Sequence, residues 1–311
     1  MTRSVCALML LSFLHPVCAQ IECRKKVFAG DPILIFVTFE GAAGADADVS
    51  VRLLNAMGET VSGARGYSPE NVQREHRSIA ILGVPSTLKA GTYTIKVEEK
   101  LGDAVRVMSR ELAVLSRTFP FEAIVFDEKM TALMRVKDPR KDEEARRLYA
   151  LLMNFYPKGQ HQFDYFSLPV RGGKRTSAFG DIREYLLDDD SKMTSVHRGI
   201  DFGLPPGEPV MACGRGRIVM AEFRIMTGNT AVIEHLPGLY SLYYHLDRLD
   251  VAEDNFVEQG QYIGTIGSTG LATGAHLHWE VRTGGVAIDL EAFTRSDIVD
   301  MDRLRSYIER Q

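Results

Sequence analysis

The sequence predicts a mainly β chain: an N-terminal immunoglobulin-like β-sandwich, a connecting α-helix, and a C-terminal domain built on an antiparallel β-sheet. Three observations carry this reading. Short β-rich runs separated by glycine-rich or polar turns fill residues 20–117. A single helical periodicity stands in residues 118–160. Residues 161–295 then return to β-rich runs with many glycines. Two terminal pieces complete the chain, a leader at 1–19 and a tail at 296–311.

In chain order, Arg3, the apolar residues 5–14 and then Val17-Cys18-Ala19 have the grammar of a secretory signal peptide, with cleavage expected before Gln20. The apolar run is too short to span a bilayer, and His15-Pro16-Val17 is a poor lipidation signal. No later stretch is apolar enough to cross, so no transmembrane segment is expected after signal removal. Residues 33–39 form a continuous apolar β-run. Val49, Val51 and Leu53 alternate with polar neighbours, as do Tyr93, Ile95 and Val97. Gly41-Ala42-Ala43-Gly44 separates runs. Leu101-Gly102-Asp103 reads as the turn of a hairpin leading into Val105 and Val107. His76, in a polar stretch, reads as a solvated loop histidine.

Asp138-Pro139 reads as an N-cap followed by proline in the first turn. Ala145, Leu148, Tyr149, Leu152, Phe155 and Tyr156 then recur at helical spacing until Pro157, which predicts a helix of roughly 18 residues. Its aromatic stripe is expected to dock between the two domains. Strands are expected over 230–234 and 239–244, flanking Pro237-Gly238, and over 262–266 and 276–282. A short amphipathic helix is expected at 302–311.

The 311 residues suggest two domains or one large one. A net charge of −4 leaves no basic excess to neutralise phosphates, which argues against nucleic-acid binding. The basic run at 171–175 reads as a solvated loop. Of four cysteines, Cys6 and Cys18 fall in the leader. Cys23 and Cys213 remain, too far apart in sequence to justify a disulfide and without the spacing of a zinc-binding pair.

Five of the eight histidines lie between His197 and His278. The first run reads His197-Arg198-Gly199-Ile200-Asp201; the second, His276-Leu277-His278-Trp279-Glu280. Imidazole and carboxylate are good Zn²⁺ ligands, and three protein ligands plus water is the usual catalytic arrangement. On a strand, His276, His278 and Glu280 share one face while Leu277, Trp279 and Val281 face a core. Gly199, Gly203 and Pro205-Pro206 exclude a helix for the first run, so an extended segment must carry His197 and Asp201. Spacing alone leaves open whether these are ligands or satisfied histidines, and which of His276 and His278 would bind metal. His235, beside Leu236-Pro237-Gly238, reads as a solvent-exposed turn histidine. Gly264, Gly267, Gly270 and Gly274 read as tight turns beside a groove, since no Gly-Lys-Ser/Thr follows.

Residues 177–289 resemble the catalytic domain of the lysostaphin-type, LytM-domain zinc metallopeptidases. The matching words are Ser177-Ala178-Phe179-Gly180, the His197 run, residues 209–216, Tyr243-Tyr244-His245-Leu246, residues 257–264, Gly267-Ser268-Thr269-Gly270, and Thr273-Gly274-Ala275-His276-Leu277-His278. The segment at 284–289 lacks the family's usual Asn-Pro, and Cys213 stands where alanine is usual. The resemblance implies a zinc peptidase domain over 161–295, with His197, Asp201 and His278 as zinc ligands and His245 and His276 flanking the catalytic water.

That resemblance further implies an exported enzyme of the periplasm or cell envelope. It would hydrolyse stem or cross-bridge peptides of peptidoglycan through a zinc-activated water. Glu280 is a rival base on the same strand face, expected to sit too far away. The alternative is a non-catalytic regulator or cell-wall-binding protein; its sign would be a lost ligand or flanking histidine, and none is lost.

Overall fold

The computed structural model describes residues 19–39, 48–68, 77–162, 164–295 and 299–309. The leader up to Cys18, the Gly41-Ala42-Ala43-Gly44 turn, His76 and the chain's last two residues lie outside them. The N-terminal strands are β1 (Gln20–Glu22), β2 (Lys26–Phe28), β3 (Pro32–Thr38), β4 (Asp48–Leu54), β5 (Thr60–Gly66), β6 (Arg77–Gly83), β7 (Gly91–Leu101) and β8 (Ala104–Leu115). They form two sheets, β1-β3-β6 and β2-β8-β7-β4-β5. Ile33, Ile35 and Leu82 of the first meet Val51, Ile95 and Leu112 of the second in one apolar core. β3 pairs with β6 and β4 with β7, so both sheets join strands that lie apart in the sequence. Leu101 pairs with Ala104 across the expected hairpin turn.

Sequence pattern reports burial here. β4 and β7 alternate because their sheet is covered on one face. β3 reads as a continuous apolar run because its sheet is buried on both. Ile33, Ile35 and Val37 face the sandwich core, whereas Phe36, with Ile79 and Ile81 of β6, joins the core of the C-terminal domain.

The segment between the domains holds β9 (Phe121–Val125), α1 (Glu128–Arg135) and α2 (Pro139–Leu152). Asp138 caps α2 as expected, its carboxylate accepting the Arg140 amide N–H at 3.0 Å. The helix is 14 residues long and stops short of Phe155 and Tyr156. The Asn154 side chain takes the Phe155 amide, and the Asn154 carbonyl accepts the Tyr240 hydroxyl, so the chain leaves the helix axis there. The docking face is also different from the expected aromatic stripe. Leu148 and Leu152 are buried against Met220, Val232 and Tyr240, whereas Tyr149 stays exposed.

The C-terminal strands are β10 (Lys174–Ser177), β11 (Ile182–Leu186), β12 (Lys192–Val196), β13 (Ile200–Gly203), β14 (Pro209–Met211), β15 (Gly216–Arg224), β16 (Gly228–Leu236), β17 (Leu239–Leu249), β18 (Phe256–Val257), β19 (Tyr262–Ile266), β20 (His276–Thr283) and β21 (Val286–Ile288). A 3-10 turn at Leu290–Phe293 and α3 (Met301–Glu309) follow. The main sheet runs β10-β13-β20-β17-β16-β15-β18. A smaller sheet, β12-β11-β9, takes its last strand from the inter-domain segment, paired in parallel with β11. The basic run at 171–175 extends into β10 rather than staying wholly in a loop, and Arg175 pairs with Glu291.

Candidate metal centre

Three adjacent strands build the site. β13 pairs antiparallel with β20 so that Asp201 stands directly opposite His278. β20 pairs with β17 so that His278 stands opposite Tyr244, the residue before His245. Side chains opposite each other on one face of a sheet lie within about 5.5 Å at Cβ, so register alone gathers these groups. His197 enters from the loop ahead of β13. That loop passes over the β20 backbone: a Cβ on Gly199 would lie 2.3 Å from the Trp279 carbonyl oxygen, so only glycine fits. Leu277, Trp279 and Val281 fill the core on the opposite face, as strand alternation requires.

Three atoms converge. His197 Nε2 lies 3.1 Å from Asp201 Oδ1 and 2.9 Å from His278 Nδ1, and His278 Nδ1 lies 2.7 Å from Asp201 Oδ1. The opposite nitrogens are engaged elsewhere. His197 Nδ1–H donates to the Ala178 carbonyl at 2.7 Å, and His278 Nε2–H donates to Glu280 Oε1 at 3.0 Å. A carbonyl can only accept, and a carboxylate at this site accepts, so the outer nitrogens hold their protons and the inner nitrogens offer lone pairs once a metal ion replaces the proton they share with Asp201. Two imidazole lone pairs and a carboxylate oxygen in mutual contact repel unless a cation lies among them. The donor set, N, N and O, is that of a catalytic zinc site with an open position. The three residues therefore fit a zinc ion.

The surroundings agree. Burial would lower the His278 imidazole, but the Asp201 and Glu280 carboxylates outweigh it and push it up to about 9, a proton taking the place of a metal's charge. Burial would raise the Asp201 carboxyl, yet the hydrogen bonds from His197 and His278 hold it far below the usual range. Glu280 is held in turn by Arg282 Nε at 2.6 Å, and the Tyr244 ring lies parallel to His278, their planes 2° apart. The outer oxygen of Asp201 accepts from Arg183. Arg183 Nε donates to Glu122 Oε2 at 3.2 Å, and Ser177 Oγ donates to the same carboxylate at 3.0 Å. Such outer partners fix ligand orientation and tautomer.

His245 and His276 stand beside this triangle, their ring centroids 4.7 Å apart. His245 Nδ1–H donates to the Thr269 carbonyl and His276 Nδ1–H to that of Gly274, each at 2.8 Å, which leaves both Nε2 atoms as acceptors. Burial, reinforced by the neighbouring His276 and His278, pushes His245 down to about 3; burial lowers His276 as well. Both are neutral at physiological pH. His245 has a left-handed backbone, φ 62°, a strained conformation for a non-glycine residue. All five residues predicted for the site are thus brought together, and all but His197 line a cleft of about 460 Å³.

One expectation requires correction. His235 is not a turn histidine in solvent but is fully buried: Nδ1 donates to the Arg215 carbonyl, and Nε2 lies 2.7 Å from Ser241 Oγ and 3.7 Å from Cys213 Sγ. Its strand, β16, is covered on both faces, so position next to a turn does not imply exposure. Glu280, the rival base expected to sit too far away, contacts the outer nitrogen of His278. Its place is behind His278, and it is not among the residues lining the cleft. Sequence reasoning missed Arg183 and Glu122, and it placed Ser177 in a matching motif without a role. Glu122 carries no local signal, because its partners lie 55 and 61 residues away.

A family model described as Peptidase family M23 matches residues 195–290. The DD-carboxypeptidase/endopeptidase Mpg of Neisseria meningitidis is 42% identical over 94 residues, covering 30% of this chain and 22% of that protein. The peptidoglycan DD-endopeptidase ShyA of Vibrio cholerae is 38% identical over 117 residues, covering 38% and 27%. The chain thus spans about a quarter of the length of these curated relatives. A crystal structure from Pseudomonas aeruginosa, described as a peptidase M23, superposes with a TM-score of 0.55 at 23% identity, over 81% of this chain and 94% of that one; it shows a shared fold. The converging histidines and aspartate lie in the span that the family model matches, on strands whose register brings them together, and residues 195–290 of this chain are a domain of peptidase family M23.

Proposed function

We propose that this chain is an exported zinc metallo-endopeptidase that hydrolyses peptide bonds in the stem or cross-bridge peptides of peptidoglycan. One observation carries the reading: three lone-pair atoms converge at 2.7–3.1 Å beside two neutral imidazoles whose free nitrogens face the same cleft. His197, Asp201 and His278 are the residues that would hold zinc. When bound, zinc brings the pKa of a coordinated water toward neutrality and polarises the scissile carbonyl. His245 and His276 are the acid/base pair. One takes the proton of the attacking water; the other stabilises the developing oxyanion or protonates the leaving amine. The carbonyls of Thr269 and Gly274 orient the two rings for this work.

The substrate rests on the relatives, two of which are named for cleavage of peptidoglycan or of DD-linked peptides. D-alanine to diaminopimelate cross-links are the favoured bonds. Such a substrate places the protein in the periplasm or cell envelope, in agreement with the leader expected at residues 1–19. Among the described residues no helix is long and apolar enough to cross a membrane.

Purified sacculi incubated with the zinc-loaded protein test this. Mass spectrometry should find new amino and carboxyl termini within stem or cross-bridge peptides, and none after zinc chelation or with His278→Ala. Sacculus binding without new termini would instead mark a binding module. Cleavage seen only when a separate amidase is added would mark a regulator.

A further inference from the structure

We propose that the free edge of β9 is the substrate-binding strand of the cleft, where an extended peptide lies along Phe121–Val125 as an added β-strand. β9 is the terminal strand of its sheet. Its bonds to β11 begin where Ile182 N–H donates to the Pro120 carbonyl and end where Phe126 N–H donates to the Leu186 carbonyl, both at 2.8 Å. Register is unbroken between, from Phe121 opposite Ile182 to Val125 opposite Leu186. A strand in a parallel pair bonds its neighbour through alternate residues. Glu122 and Ile124 therefore turn their backbone groups to β11. The N–H and C=O groups of Phe121, Ala123 and Val125 turn the other way, and no described residue takes them up.

That outward edge does not face bulk solvent alone. Ala123, Ile124 and Val125 line the same cleft as Asp201, His245, His276 and His278. The edge lacks the usual protection: no lysine or proline interrupts it, and Phe121 and Val125 are 63% and 72% exposed. It is also fixed relative to the candidate ligands, because Glu122 binds Arg183 and Arg183 binds the outer oxygen of Asp201. Whatever pairs with this edge is therefore held in a set position beside the donor atoms. The short-side-chain segment Ala272-Thr273-Gly274-Ala275 lines the same cleft. Recognition would come mainly from main-chain hydrogen bonds, which suits an extended peptide with small side chains. The inference rests on the reading of the cleft as a peptidase site.

Ala123→Pro tests it, because proline there deletes an outward N–H and leaves the ladder to β11 intact. The probe is a cross-linked muropeptide dimer released from purified sacculi by a muramidase. The expected result is a KM raised about three- to tenfold, the worth of one backbone hydrogen bond, with kcat and zinc content held. An unchanged KM overturns the proposal. Should the variant fail to fold, amide hydrogen exchange in the zinc-free wild type decides. Added dimer should slow exchange at Phe121, Ala123 and Val125, and unchanged rates there overturn the proposal. Concentration-dependent self-association that protects the same amides without peptide would also overturn it, assigning the edge to a second copy of the chain. A wild type that cuts no muropeptide refutes the peptidase reading instead, while the exchange measurement still tests the edge.

Discussion

His278 joins two chains of interaction: its Nδ1 faces the donor triangle, and its Nε2–H is held by Glu280, itself clamped by Arg282. Glu280→Gln should weaken zinc binding about 10- to 100-fold, measured by competition with a chelating dye, because the ligand loses the carboxylate that orients it. The same change leaves Arg282, whose side chain is 12% exposed, without its counter-charge. Chemical denaturation of the metal-free protein should show a loss of about 3 kcal/mol. His276→Ala should keep zinc and lose turnover; full activity would remove His276 from the scheme. His235 makes a separate prediction. Burial holds it down to about 4, below its ordinary 6.5, so the folded state binds fewer protons than the unfolded one between these values. Stability contributed by neutral His235 is complete above pH 6.5 and is lost as pH falls toward 4. Between these pH values wild type should lose about 3 kcal/mol more than His235→Gln in parallel urea titrations. Equal losses would show that the histidine is not kept neutral by the fold.

At the level of elements, the register of β13 against β20 makes the site, and Gly199 permits it. Gly199→Ala should force the two backbones apart, lowering stability by about 1–3 kcal/mol and zinc affinity together. A variant that loses one without the other would uncouple strand register from the donor set. Much of this was legible in the sequence. Strand alternation placed His276, His278 and Glu280 on one face and Trp279 in the core, and the apolar run at 33–39 marked β3 as a strand. Spacing did not choose His278 over His276; the family resemblance did, and its assignment is the one the converging atoms favour. The rest was hidden for physical reasons. β9 is five residues long and its parallel partner lies far along the chain. α1 is an eight-residue helix, about two turns, too short for periodicity to single it out. The end of α2 is set by Asn154 and Tyr240, a tertiary contact that local periodicity does not contain.

Across the whole molecule, the sandwich and the peptidase domain share a core rather than a linker. Phe36, Ile79 and Ile81 of the sandwich pack in one cluster with Trp279, Val281 and Ile288. Arg117 bridges buried Asp31 and Asp289 from the two sides, and Thr283 Oγ1 donates to the Ile81 carbonyl at 2.6 Å. The two units should therefore unfold together. Calorimetry of the metal-free chain should show one transition, shifted as a whole by Ile81→Ala, a loss of about 2–5 kcal/mol. Two resolved transitions, with only the first moved by that substitution, would show independent domains.

The central claim, that His197, Asp201 and His278 form the zinc site, is tested most directly by anomalous diffraction at the zinc edge from crystals of the zinc-loaded full chain. The account predicts one dominant peak bonded to His197 Nε2, Asp201 Oδ1 and His278 Nδ1, absent from crystals of His278→Ala. A peak on the Nε2 atoms of His245 and His276 instead, or a peak that survives loss of His278, would contradict it.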